Sequence, residues 1–137
     1  MTAAPRSFGR KAARVGLWVI TFYEGLLMGS AGVHKLVAFQ KFGSAFWGAW
    51  FEQWGYPHWF LVAVAVVEIC GGVLLFIPRT AFYSACVLTA VMLGAIATTY
   101  VHAHDALAPG LRATDMTMSL PTVSLVFLVI IALVRRR

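Results

Sequence analysis

The 137-residue sequence predicts an all-α integral membrane protein, a four-helix bundle with both termini in the cytoplasm. Three observations carry that reading. Hydrophobic residues make up 61% of the chain and charged residues only 12%, with a mean hydropathy of +0.81. A soluble domain has about 45–50% apolar and about 25% charged residues. A small soluble globule could not be clothed from this composition, nor could a disordered tail be built from it. Second, four apolar stretches, 15–36, 58–77, 80–103 and about 117–134, each approach the 17–25 or so helical residues that a bilayer core of about 30 Å requires. Third, the basic residues are unevenly placed along the chain.

With four spans both termini share one side with the short turn at Arg79. That side carries Arg6, Arg10, Lys11, Arg14, Arg79, Arg135, Arg136 and Arg137, eight in all, against Lys35, Lys41 and Arg112 on the other. The basic excess marks the cytoplasmic face. It also attracts anionic lipid headgroups, so the net charge of +6 needs no nucleic-acid partner. The spans occupy most of the chain, which leaves a basic cytoplasmic tail over 1–14 and one membrane domain over 15–137.

Taken in order, the first span begins after that tail. A signal peptide would also place a basic region before an apolar one, but Glu24 interrupts the apolar run and no A-x-A site follows. The segment 37–56 is not a plain loop, because ten of the nineteen aromatics fall between residues 39 and 60. Phe39, Phe42, Phe46, Trp50 and Trp54 recur every three or four residues, which predicts an interfacial helix with one aromatic face. Such a helix is either an anchoring belt or a lid over a lipid-soluble ligand such as a quinone. Pro57 opens the second span and Pro78 closes it. Pro121 falls in the first turns of the fourth.

Glu24 and Glu68 are the most informative residues. Counted from their span ends at 1.5 Å per residue, both fall near the bilayer midplane. A carboxylate there costs about 2.5–3.5 kcal/mol even on the lenient insertion scale, and two at one depth are expected to include a neutral one. They are candidates for a proton or quinone site, or they serve only to hold helices together by hydrogen bonding. Gly25, Gly29 and Gly32 form a small-residue stripe on the first span. Gly71 and Gly72 lie on the face of Glu68, and Ala90, Gly94 and Ala97 give the third span a comparable seam.

All four histidines lie at the outer ends of spans. His34 and His102, with Lys35, are candidates to line an outer mouth. His102, His104 and Asp105 are weak candidates for a metal site, because two histidines two residues apart diverge by about 200° on a helix. No metal site is expected, and the histidines are not matched within spans as a haem would want. Cys70 and Cys86 form no C-x-x-C pair and are expected to be buried small residues. No nucleophile–base pair, phosphate loop or nucleotide fingerprint is visible, so no complete catalytic constellation is present.

In order along the chain, these features resemble the DoxX family, and more closely its DoxX-like branch of small bacterial four-helix membrane proteins. Ala31-Gly32-Val33-His34-Lys35-Leu36 is similar to the family's A-G-x-x-K-L ending of helix one. Trp54-Gly55-Tyr56-Pro57 is similar to its W-G-x-P entry to helix two. Glu68 followed by Gly71 and Gly72 is similar to its acidic residue with paired small residues, and the run Ala97-Thr98-Thr99-Tyr100-Val101-His102 loosely resembles its T-x-H ending. The resemblance implies a multi-pass protein of the bacterial cytoplasmic membrane. It also implies a redox association: the family takes its name from components linked to a thiosulfate:quinone oxidoreductase, and other relatives accompany methylamine-utilisation or oxidative-stress systems. The expectation is an accessory subunit of a membrane redox enzyme, with Glu68, alone or with Glu24, relaying a proton or binding a quinone. The alternatives are a small proton-coupled carrier, dimeric through its glycine faces, and a purely structural membrane subunit.

Overall fold

The computed structural model describes residues 6–42, 47–102, 106–108, 111–112 and 119–136. Five helices account for most of them: α1 Arg6–Phe42, α2 Trp47–Gln53, α3 His58–Leu75, α4 Ala81–Val101 and α5 Ser119–Arg135. Between α4 and α5 a short antiparallel pair joins Ala106–Ala108 (β1) to Leu111–Arg112 (β2).

Within α1, Lys11–Val37 is apolar and long enough to cross a membrane, as are α3 and α4 in full. The apolar part of α5, Leu120–Arg135, is shorter; sixteen residues rise only about 24 Å. α1 departs from its expected bounds at both ends. Its basic start, from Arg6, is the first turns of a helix about 55 Å long. Arg, Lys and Ala are good helix formers, and nothing between Arg6 and the apolar run breaks the helix. At its other end α1 runs on to Phe42, and α2 is a separate element, so the aromatics do not form one helical face. The side chains of Phe39, Phe42 and Phe46 lie outside the described residues.

The prolines act as the sequence suggests. Pro57 is the extended N-cap of α3, with φ −69° and ψ 151°. At the other end Thr80 Oγ1 donates to Leu74 O at 2.9 Å and satisfies one carbonyl that the helix end leaves open. Pro78 forces the chain out of helix there, and α4 starts three residues later. α2 ends in a Schellman turn: Gly55 N–H donates to Glu52 O and Tyr56 N–H to Phe51 O. Gly55 has φ +76°, which explains a glycine after Trp54.

α1 packs chiefly on α3 and α4 on α5, while α3–α4 and α1–α5 contacts complete the circuit. Met28, Leu75, Ala85, Leu88, Met92, Leu128 and Ile131, drawn from all four of these helices, form one core. Ser84 Oγ donates to Gly71 O at 2.6 Å and ties α4 to α3. Much of the outward surface is apolar, with Val15, Phe22, Val73, Tyr83, Val87 and Leu133 among the exposed side chains. A soluble monomer rarely shows so much contiguous apolar surface.

The small-residue seams divide into used and unused. α3 crosses α1 so closely that a Cβ on Gly72 would lie 2.7 Å from Gly25 O, and one on Gly32 2.5 Å from Ala65 O. On α4, by contrast, Ala90, Gly94 and Ala97 are exposed, and nothing lies within 4 Å of a Cβ built on Gly94. The seam expected there makes no contact among the described residues. α4 packs through the opposite face, Ser84, Ala85, Leu88 and Met92. Cys70 and Cys86 are likewise exposed and not buried.

Candidate functional site

The α1–α3 crossing places an ion pair inside the protein. Gly32 faces α3, where Glu68 Cβ would be 3.2 Å from a Cβ on it. Lys35, three residues on, shares that face of α1. Its Nζ donates to Glu68 Oε1 at 2.5 Å and to Oε2 at 2.6 Å. The Glu68 side chain is 3% exposed and that of Lys35 13%. Removing two charges from water is repaid only by close, fully hydrogen-bonded geometry, and the two short bonds supply it. Lys35, expected to line an outer mouth, is the partner of the buried acid Glu68. Two features of the sequence point to this pair: Lys35 shares a helix face with Gly32, and Glu68 shares one with Gly71 and Gly72.

Glu24 is placed differently from the expectation. Gly25, its neighbour, lies against Gly72 and Phe76 at the C-terminal end of α3, whereas Gly32 lies level with Glu68. Eight residues of α1, about 12 Å, therefore separate Glu24 from the level of Glu68. The two acids are not matched in depth, because α1 overruns its apolar stretch and its first apolar residue does not set its register against α3. Nor do they share an interface. Glu24 is fully buried, and the hydroxyl that approaches its carboxyl is Ser124 of α5. Neither Glu24 oxygen nor Ser124 Oγ has a hydrogen-bond partner of good geometry among the described residues. Thr21, one turn earlier, spends its hydroxyl on Leu17 O at 2.7 Å.

Glu24 and Glu68 should thus respond in opposite ways to removal. Glu24→Met replaces a carboxyl that lacks good hydrogen bonds with an apolar chain of similar length. It is expected to raise stability by about 1–3 kcal/mol, read by thermal unfolding in detergent. A loss of that size would mean that the Glu24–Ser124 contact holds α1 to α5.

Around the start of α3, at the Lys35 end of α1, the aromatics form a cluster. Tyr56 and Phe60 stack at 5.1 Å, and Phe51 meets Trp54, Tyr56 and Phe60 with ring centroids 5.8–6.2 Å apart. Trp50 is buried and lies 6.0 Å from Trp54. His102 stacks on Trp54 at 5.5 Å, and Tyr56 Oη lies 3.1 Å from Thr98 Oγ1, so the cluster bridges α2, α3 and α4. Trp54 Nε1 is buried with no hydrogen-bond partner among the described residues. Sequence reasoning anticipated the aromatic density but missed that Trp54 and His102 come together. His34 is exposed on α1 and takes no part. His104 and Asp105 lie outside the described residues. Among the described residues no group of three His, Cys, Asp or Glu side chains could hold a metal ion.

No curated protein and no solved structure matches the chain. The model of the DoxX-like family matches residues 19–134, a stretch that contains α3, α4, the Lys35–Glu68 pair and the aromatic cluster. Three helices of membrane-crossing length agree with a membrane protein. The chain belongs to the DoxX-like family.

Proposed function

We propose that the chain crosses the bacterial cytoplasmic membrane four times, with both termini inside, as an accessory subunit of a quinone-linked redox system. The observation that carries this reading is the buried Lys35–Glu68 pair at the aromatic end of the helices. A charged pair held inside an apolar bundle is costly and is found where protons or polar ligands are handled. A quinone headgroup fits the neighbouring cluster: flat rings at Trp54, Tyr56 and Phe60 offer stacking surfaces. The buried Trp54 indole N–H, without a partner among the described residues, would donate to a quinone carbonyl. A bound quinone would supply electron and proton acceptance, while Glu68 holds or passes a proton and Lys35 keeps its carboxylate in place. The family's namesakes, components linked to a thiosulfate:quinone oxidoreductase, support the same reading.

The test is to tag the C-terminus, solubilise in mild detergent and identify what co-purifies in stoichiometric amount. A redox enzyme or quinone retained through size exclusion is expected, and a lone homo-oligomer with neither overturns the reading. In the intact complex Glu68→Gln should lower quinone-dependent turnover about a hundredfold, the low end of what a positioned proton-transfer group supplies. Lys35→Met/Glu68→Met, which removes both charges, should fold yet show the same loss. Normal turnover in that double variant would leave the pair a packing device. A second reading, a proton-coupled carrier, is favoured by the buried Glu24 carboxyl, and predicts proteoliposome flux that Glu24→Gln abolishes.

A further inference from the structure

We propose that the exposed face of α1 is a binding groove for one anionic phospholipid. Arg14 and Arg135 hold its headgroup, and an acyl chain lies along Trp18, Val19, Phe22 and Leu26. The proposal rests on the membrane insertion proposed above and not on the redox role. The groove has a volume of about 880 Å³ and runs from Arg14 to Ser30 with an almost wholly apolar lining. The sixteen steps of helix from Arg14 to Ser30 rise about 24 Å, more than the roughly 15 Å of hydrocarbon in one leaflet. Aromatic contacts mark its edges: Phe22 meets Phe76 of α3 edge-on at 5.6 Å, and Tyr23 meets Phe127 of α5 at 6.1 Å.

Charge selects the occupant. At one end of the groove the Arg135 guanidinium lies over the Trp18 ring, 4.9 Å from its centroid. Its Nε is buried and has no hydrogen-bond partner among the described residues. Arg14 is exposed at the same end. The sequence has no Asp or Glu in residues 1–23 or 116–137 to answer these cations. A phosphate diester of net negative charge does so, and offers oxygens in the planar arrangement that guanidinium donors match. A zwitterionic lipid brings its own ammonium into competition, and a neutral isoprenoid would leave both arginines without an anion.

Native mass spectrometry of the delipidated protein, with phosphatidylglycerol or phosphatidylethanolamine added back, tests this. Phosphatidylglycerol is expected to stay bound at collision energies that strip phosphatidylethanolamine. Arg14→Gln/Arg135→Gln should weaken it about thirtyfold, and Arg14→Gln alone about fivefold, as expected from losing cations beside an anionic headgroup. Arg14→Lys/Arg135→Lys should keep most of the affinity. Equal retention of the two lipids, or unaltered phosphatidylglycerol binding in the Arg14→Gln variant, overturns the site. Arg135 packs on Trp18, so the single Arg14 variant carries the test if the double variant unfolds. Release of the native chain from membranes by alkaline carbonate would instead overturn the membrane reading, which separates the two failures.

Discussion

Lys35→Met is expected to destabilise the protein by about 3–5 kcal/mol, the cost of leaving one member of a buried ion pair without its partner. Glu68 has a 3% exposed side chain, and both of its oxygens accept from Lys35 Nζ. Without the ammonium the carboxyl keeps its burial and loses both bonds. Glu68→Met should cost a similar amount, because it strands the ammonium at the same crossing. The combined Lys35→Met/Glu68→Met variant should recover most of the loss, since two flexible apolar chains fill the space with no charge to desolvate. The measurement is a double-mutant cycle from thermal or denaturant unfolding in one detergent, with the coupling as readout. Single losses that merely add in the double variant would mean that the two side chains do not meet in the folded protein.

The same pair shows what the sequence allowed to be read and where it stopped. Composition and span length defined an all-helical membrane protein, and α3 and α4 fall within two residues of their expected bounds because Pro57 and Pro78 punctuate the chain. α1 was less legible, since no breaker separates its basic start from its apolar run. That mistake passed directly to the site: depth counted from the start of the apolar run put Glu24 level with Glu68, whereas the glycine crossing sets the register. Glu68 was read as an intramembrane acid and Lys35 as lining an outer mouth, whereas their pairing depends on which glycine of α1 meets which residue of α3. On α4 a stripe of small residues resembled a packing seam. A helix apolar all round carries no polar face to show which side turns inward, so buried Leu88 and exposed Gly94 read alike.

The crossing itself is the second place where one residue should matter greatly. Gly72→Ala puts a Cβ 2.7 Å from Gly25 O and 2.9 Å from Gly29 N, and both obstacles are backbone. Side chains can swing aside, but backbone cannot yield without moving a whole helix, so α1 and α3 must separate. Overpacking of this kind costs about 1–3 kcal/mol. Here it also pulls Lys35 away from Glu68, so Gly72→Ala should lose stability at the upper end of that range or beyond. Gly32→Ala meets Ala65 O at 2.5 Å and is expected to behave in the same way. Gly29→Ala is the internal control: it belongs to the same G-x-x-x-G stripe as Gly25, yet its Cβ would meet nothing within 4 Å. A helical alanine there should be neutral or gain a few tenths of a kcal/mol through propensity, which favours Ala over Gly by up to about 1 kcal/mol. Thermal unfolding of the three variants checks the ordering. If Gly29→Ala proved as damaging as Gly72→Ala, α1 would have to present a different face to α3, and the Lys35–Glu68 geometry would fall with it.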